Sequence, residues 1–305
     1  MANNYWQERM AKSQNKITDK NIAQVEKQMK KYYRDAMKNV IDEYEKTLLK
    51  IMETELDPNR TDYTPADLYK LDRYWMMQKQ VRKELEKLGD KQIAFLAEKF
   101  ELNYFEVYHS MSQMSDDAFI YIDTEAAKQV LNSIWVADGL SWSDRVWENT
   151  KKLQQTLNEQ LIHCVVTGKR SSDLKKLLME RFSVSYSAAD KLVRTEMAHI
   201  QTEAAKQRYT DYGIEYVEIL ADEDERRCEE CGKLHKKRYP VGATMPVPAH
   251  PNCRCCIVPV VEEFESITYT NKCADCGRDF ETKNKATKVC AACKNLRHRK
   301  YSRKI

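Results

Sequence analysis

Glycine and proline are scarce in this chain. Its 305 residues hold seven of each, and no glycine precedes Gly89. No proline occurs from Ala66 to Tyr239. So few helix breakers exclude a turn-rich β architecture and predict helix until about residue 212. Long apolar runs are also missing. Nothing approaches the ~20 apolar residues of a membrane span. The start, Met1-Ala-Asn-Asn-Tyr-Trp, has no apolar signal region. The expectation is a protein that is neither secreted by a signal peptide nor inserted in a membrane. Cysteine is almost absent before residue 228: Cys164 stands alone there and reads as a small buried apolar residue. There is no internal repeat, no phosphate-binding glycine loop and no nucleophile elbow.

What is present is helix periodicity. Apolar residues recur in steps of three and four from Ile22 through Val25, Met29, Tyr33, Val40 and Tyr44 to Ile51. They predict one helix from Asp19, its N-cap, to Leu56, roughly 55 Å long at 1.5 Å per residue. Asp57 to Asp62 reads as a turn. Thr64-Pro65-Ala66-Asp67 reads as a helix start, with a stop at Gly89-Asp90. Ile93, Leu96, Phe100, Tyr104 and Tyr108 mark a further helix, and Ser112 to Asp117 a linker. Helices are expected to begin near Thr124, Ser141, Ser171 and Ser187, the second stopping at Gly168 and the last ending at Gly213. Trp135, Trp142 and Trp147 are expected to anchor a helical corner at Gly139. After Gly213, Ile214–Ala221 and Ile257–Val261 read as strands, the second held to a sheet edge by Pro259.

The formal charge of +4 is small beside 51 basic and 47 acidic residues, and by itself indicates no nucleic-acid partner. The last twelve residues differ. Lys294, Arg297, Arg299, Lys300, Arg303 and Lys304 lack any acidic counterweight, which suits phosphate contact or a solvated end.

Nine of the ten cysteines lie between Cys228 and Cys293. Cys273-x-x-Cys276 and Cys290-x-x-Cys293 form a complete four-thiolate set. A two-residue gap lets both sulfurs of a pair reach one tetrahedral ion, and four protein ligands leave no position for water. Such a site is structural, and a module this small needs its metal to fold. Cys228 and Cys231 are followed, 18 residues on, by His250, Cys253, Cys255 and Cys256. Cys228, Cys231, His250 and Cys253 are the favoured ligands, with Cys255 as the substitute for His250 or Cys253. A deaminase-like catalytic zinc would need a His-x-Glu, which is absent. Arg194-Thr195-Glu196, with Glu223-x-Glu225, faintly suggests an ADP-ribosyl site; a structural ion pair at Arg194 is the expectation. The remaining histidines sit beside no nucleophile or acid at a telling spacing.

Taken together, Arg194-Thr195-Glu196, Tyr212-Gly213, Cys228-Glu-Glu-Cys231-Gly-Lys-Leu234 and Pro246-Val-Pro248-Ala-His250-Pro251-Asn252-Cys253-Arg254-Cys255 resemble the phage head morphogenesis family, the Mu F-type minor head proteins. The resemblance covers roughly residues 120 to 262. One departure is His235-Lys236-Lys237, where the family often has an Asp-Gly turn. The four-cysteine module is an addition to the family pattern.

The fold class expected is mainly α with a small α+β zinc-stapled domain. It comprises an elongated long-helix region (1–115), a head morphogenesis domain (116–262) and a zinc knuckle or ribbon with a basic tail (263–305). The resemblance implies a non-enzymatic minor capsid component of the virion, in the phage head interior after assembly in the host cytoplasm. The implied partners are the portal protein and the capsid or scaffold interior. Two structural Zn2+ ions, weak non-specific DNA contact through the tail and self-association of the N-terminal helices complete the expectation. The alternative is a nucleic-acid-binding regulator built on two zinc modules.

Overall fold

The computed structural model describes residues 2–54, 59, 64, 67, 72–111, 124–166, 171–221, 227–260, 269–282 and 287–294. The linker at 112–117, Gly168, the acidic loop with Glu223 and Glu225, most of the turn at 57–62 and the side chain of Cys164 lie outside the described residues. The chain is mostly helical, as expected. Its helices are α1 (Ala2–Thr54), α2 (Asp72–Ser110), α3 (Thr124–Leu131), α4 (Trp142–Val166), α5 (Ser171–Asp211) and the short α6 (Glu229–Leu234). The strands are β1 (Tyr216–Leu220), β2 (Arg238–Pro240), β3 (Cys256–Pro259), β4 (Tyr269–Lys272) and β5 (Asp279–Thr282). No helix among the described residues is long and apolar enough to cross a membrane.

The chain divides into two compact units. One comprises residues 22–99 and 133–194. It is built from helices whose apolar faces supply Val25, Met29, Val40, Val81, Leu85, Leu96, Leu157 and Phe182, all buried. Tyr33 is its polar centre. Asn149 Nδ2 donates to the Tyr33 hydroxyl at 3.0 Å and to the Ser185 carbonyl at 2.9 Å. Burial pushes the Tyr33 hydroxyl up to about 12. At the start of α4, the Ser141 N–H and hydroxyl both reach Asp144 Oδ2, and Asp144 N–H returns a bond to Ser141 Oγ. That reciprocal cap fixes the helix start where the sequence placed it.

Two expected breaks in this unit are not breaks. Ser187 lies inside the continuous α5, its hydroxyl donating to the Ser183 carbonyl at 3.0 Å. A serine can satisfy itself this way without ending a helix. Gly89 likewise lies inside α2, and its bare Cα has a packing reason: a Cβ there would meet the Trp147 ring at 2.5 Å. Trp147 therefore lies against Gly89. Gly89→Ala is expected to cost about 1 kcal/mol or more through overpacking. In a Trp147→Ala background the same change should stabilise by about 1 kcal/mol, because alanine is the better helix former. Urea midpoints of the four proteins in this cycle check the sign reversal.

The other unit comprises residues 1–21, 100–132 and 195–305. Its three-stranded antiparallel sheet has the order β2-β1-β3, with Val217 opposite Pro259 and Ile219 opposite Ile257. The strand β3 lies at an edge, where Pro259 was expected. Edge carbonyls need partners when buried. Helix α1 provides them: Gln7 Nε2 donates to the Pro259 carbonyl at 3.0 Å and Gln14 Nε2 to the Ile257 carbonyl at 3.1 Å. Asn21, one heptad further along, donates to Asn103 Oδ1 at 3.0 Å. These amides are why α1 begins at Ala2 and not at Asp19. The buried side of its first turns mixes Met10 and Ala11 with Gln7, Gln14, Thr18 and Asn21, so a search for apolar steps passes over it. Asp19 is exposed in mid-helix and caps nothing.

Helix α5 ends as a glycine stop should. Gly213 has φ of +72, its N–H donates to the Thr210 carbonyl at 2.9 Å, and Ile214 N–H reaches Tyr209 O at 2.9 Å. This is the Schellman pattern, which satisfies two orphan carbonyls. The chain then enters β1.

Candidate metal centre

The first cysteine group is assembled from a helix start and a tight turn. Cys228 is the N-cap of α6, and its Sγ accepts the Cys231 N–H at 3.3 Å. The first turn of a helix leaves such donors unpaired, so the Cys-x-x-Cys spacing caps the helix and brings two sulfurs together. That N–H holds the Cys228 thiol below its ordinary range, while burial pushes Cys231 up to about 12.

His250 to Cys253 form a turn closed by Cys253 N–H on the His250 carbonyl at 3.1 Å. Proline at its second position and φ of +62 at its third, Asn252, give it the type II signature. Asparagine tolerates that left-handed backbone better than most side chains. Asn252 N–H donates to Thr195 Oγ1 at 3.3 Å, tying the turn to α5. Arg254 lies 3.8 Å from Asp19. Asn252→Val should therefore cost ~1–2 kcal/mol, whereas Asn252→Gly should be close to neutral. Thermal melts of the two variants check the contrast.

Cys255 follows Cys253 by two residues, and its sulfur comes together with those of Cys253 and Cys231. Cys256 faces the other way, its Sγ toward the Leu220 carbonyl at 3.9 Å. That takes the sixth candidate out of the site. The hydrogen bond from Cys255 pulls the Cys253 thiol down to about 5 and holds Cys255 itself well above its ordinary value.

His250 Nε2 lies 3.1 Å from both Cys228 Sγ and Cys231 Sγ, and Cys231 Sγ lies 3.7 Å from Cys253 Sγ. Two sulfurs on one tetrahedral ion stand about 3.8 Å apart, given bonds of ~2.3 Å. His250 Nδ1 is 2.9 Å from the Pro251 carbonyl. A bond donated there would leave Nε2 free for a metal. The five donors form two groups of three, Cys228/Cys231/His250 and Cys231/Cys253/Cys255, with Cys231 common to both. The favoured set of Cys228, Cys231, His250 and Cys253 is not one of these groups: Cys253 falls with Cys255, apart from Cys228 and His250.

The second group is more regular. Cys273, Cys276, Cys290 and Cys293 bring their sulfurs within 4.8 Å of one another. Cys276 Sγ and Cys290 Sγ are 3.8 Å apart, the tetrahedral edge again. Cys273 follows β4, and Gly277, with φ of +68, turns the chain into β5. Cys290 N–H donates to Cys273 Sγ at 3.3 Å and draws that thiol down to about 6. The Arg278 side chain holds Cys276 low in the same way. The second group offers four donors at the spacing a metal ion needs, and the first offers three in each of its two overlapping groups.

The other candidates fall as follows. Lys294 lies in a helical turn, its N–H on the Cys290 carbonyl at 3.0 Å. Arg297, Arg299, Lys300, Arg303 and Lys304 lie outside the described residues. Arg194 Nε contacts Asp190 Oδ2 at 3.0 Å, and its guanidinium also pairs with Glu26: the structural ion pair expected there. Thr195, which anchors the His250 turn, carried no signal of its own beyond its place in the Arg-Thr-Glu triplet.

Residues 155–258 match the family of phage Mu protein F like proteins. The match supports a Mu F-type head morphogenesis family for this chain. No curated protein and no solved structure gives a significant match. The Mu F-like segment begins within α4 and runs through α5, the three-stranded sheet and all five donors of the first group. It ends before Cys273. The His235-Lys236-Lys237 departure lies inside it, and the turn survives: Lys236 takes φ of +60 and its N–H reaches the Ile219 carbonyl at 2.7 Å. A lysine there adopts the backbone that a glycine adopts without strain.

Proposed function

We propose that this chain is a phage minor head protein, a structural component of the virion associated with the portal. It acts in head assembly and in DNA packaging or ejection, and it does so without catalysis. The match of residues 155–258 to the Mu F-like family carries the reading, because that segment contains the whole first cysteine group. The portal protein and the capsid or scaffold interior are its partners. It works in the head interior after assembly in the host cytoplasm, and its N-terminal helices are available for self-association.

Each cysteine group holds one structural Zn2+. Thiolates with at most one imidazole select zinc among common divalent ions, and four protein ligands close the site to water. The basic residues from Lys294 onward add weak, sequence-independent contact with DNA phosphates.

Co-expression with the portal protein tests the main claim. The two should co-purify, and the chain should be present in purified virions; its absence from both would sink the reading. Deleting residues 294–305 tests the DNA contact. The truncated protein should show a shallower dependence of duplex binding on salt, and an unchanged slope would remove the tail from the proposal.

A further inference from the structure

The near balance of charge over the whole chain hides one lopsided stretch. From Arg9 to Lys38 the sequence of α1 carries nine basic residues and three acidic ones, against 51 and 47 overall. Five of the nine, Lys27, Lys30, Lys31, Arg34 and Lys38, belong to the unit of residues 22–99 and 133–194, and all five are exposed. At 3.6 residues per turn they fall within an arc of about 100° and along ~16 Å of helix. We infer that this face of α1 is a docking surface for the phosphate backbone of duplex DNA. It is a contact separate from the C-terminal tail, on a folded surface, and it depends on neither the portal nor the zinc reading.

Solvated helix faces elsewhere in this protein pair opposite charges. Arg82 reaches Glu86 at 2.8 Å, Lys87 reaches Glu84 at 2.6 Å, Lys128 reaches Glu125 at 2.8 Å and Lys233 reaches Glu229 at 2.7 Å, each three or four residues apart. The α1 face does the reverse. Lys27 and Lys31, Lys30 and Arg34, and Arg34 and Lys38 set like charges four residues apart, which destabilises a helix. Packing does not require it, because these side chains are exposed. The acids of the same stretch are engaged. Glu26 pairs with Arg194 and lies 3.9 Å from Lys30, and Asp35, outside the arc, lies 3.8 Å from Arg34. Lys27, Lys31 and Lys38 have no acidic partner among the described residues.

The chemistry of the partner follows from the face. Duplex DNA carries one negative charge per ~1.7 Å of its axis, so a straight row of cations meets phosphate wherever it is laid. Four of the five are lysines, flexible point charges that suit phosphate and not the edge of a base. A single strand needs aromatic rings on which its bases stack. The face offers none: Tyr32, on the same helix, packs edge-on against Phe95. A bilayer surface needs an apolar flank beside the charges. The apolar side of α1, with Val25, Met29 and Val40, is instead buried in its own unit.

The test is binding of a fluorescently labelled, random-sequence duplex to the full chain, read by anisotropy over a range of salt. Lys27→Gln, Lys31→Gln, Arg34→Gln and Lys38→Gln together should lower affinity more than about tenfold and reduce the slope of log affinity against log salt by about 3. The urea midpoint of this variant should not fall, since like charges are removed from a helix. The control is Lys151→Gln, Lys152→Gln, Lys175→Gln and Lys176→Gln, at exposed positions of α4 and α5. It removes the same charge and should lower affinity less than about threefold. Equal losses in the two variants would overturn the proposal, because binding would then follow net charge and not this face. A wild-type slope in the α1 variant would overturn it too, as would tighter binding of a single strand of the same length. Competition by polyglutamate as strong as by duplex at equal charge would reassign the face to an acidic protein. An unchanged slope on deletion of residues 294–305 would remove the tail and leave this face standing, and no duplex binding by wild type at low salt would overturn both contacts.

Discussion

Stripping metal from the protein with a chelator at neutral pH should unfold residues 269–294 and leave its helical signal almost unchanged. The module has little else to hold it. Among the described residues, its buried cluster is Cys273, Cys290 and Cys293, with Phe280 and Val289 packed against them. Its strands pair over four residues each, and an isolated hairpin of that size is marginal in water. A structural zinc contributes ~10–16 kcal/mol in small modules, far more than such a core supplies. Three of the four sulfurs are buried, so an empty site would leave thiols crowded at close range, with Arg278 beside Cys276 as the balancing charge for any that stay ionised. Cys273→Ser should reproduce the effect permanently. Hydrogen exchange and limited proteolysis read the result: protection lost across β4 and β5, restored by zinc in wild type and not in the variant. Persistence of protection after complete metal removal would show that the metal is not what folds the module. The long helices should stand, since their packing contains no metal donor.

Much of this organisation can be read from residue spacing, and what escapes has identifiable causes. The scarcity of glycine and proline foretells long helices, and the capping residues Ser141 and Gly213 mark real ends. Gly89 and Ser187 mislead because a glycine can serve a neighbour's ring, and a serine can bond its own helix, without stopping anything. The first turns of α1 are missed because Gln7, Gln14 and Asn21 interrupt the apolar steps of the buried side there, bonding β3 carbonyls and Asn103 beside Met10 and Ala11. The strand β2 is three residues long and mostly exposed, so it has no alternation to detect. At the metal centre, spacing picks out the residues that the structure gathers into two groups of three and one of four. It leaves open how the five divide, since that depends on the direction each thiol takes after the turn. It also passes over Thr195, whose part is decided by a contact 57 residues away.

Arg208→Ala should destabilise the sheet-containing unit by ~3–5 kcal/mol, the largest loss expected from any change that touches no metal donor. Arg208 is fully buried. Its guanidinium carbon lies 4.3 Å from the Tyr212 ring centroid and 4.9 Å from that of Tyr108. One guanidinium nitrogen donates to the Tyr212 hydroxyl at 2.5 Å. Tyr108 in turn donates to Asp211, which also accepts from Gln207 at 3.0 Å. Burial, then the Asp211 contact, raises the Tyr108 hydroxyl well above its usual range. The cation is thus stacked between two rings, with a carboxylate on one of them, and alanine would remove the stack and leave a cavity. Lysine keeps the charge but not the planar face, so Arg208→Lys should lose about half as much. The consequence reaches further than packing. Arg208 sits one turn before Gly213, and the Tyr212 carbonyl at that helix end accepts the Tyr269 hydroxyl at 2.5 Å. A Cβ on Gly213 would collide with that hydroxyl, and the second metal module thus meets the helix end that Arg208 helps to hold. Arg208→Ala should therefore show two changes together: a lower urea midpoint, and faster proteolysis of the second metal module under native conditions. A loss under 1 kcal/mol would mean that the stack contributes little; a full loss without faster proteolysis would mean that the docking of the module does not depend on it.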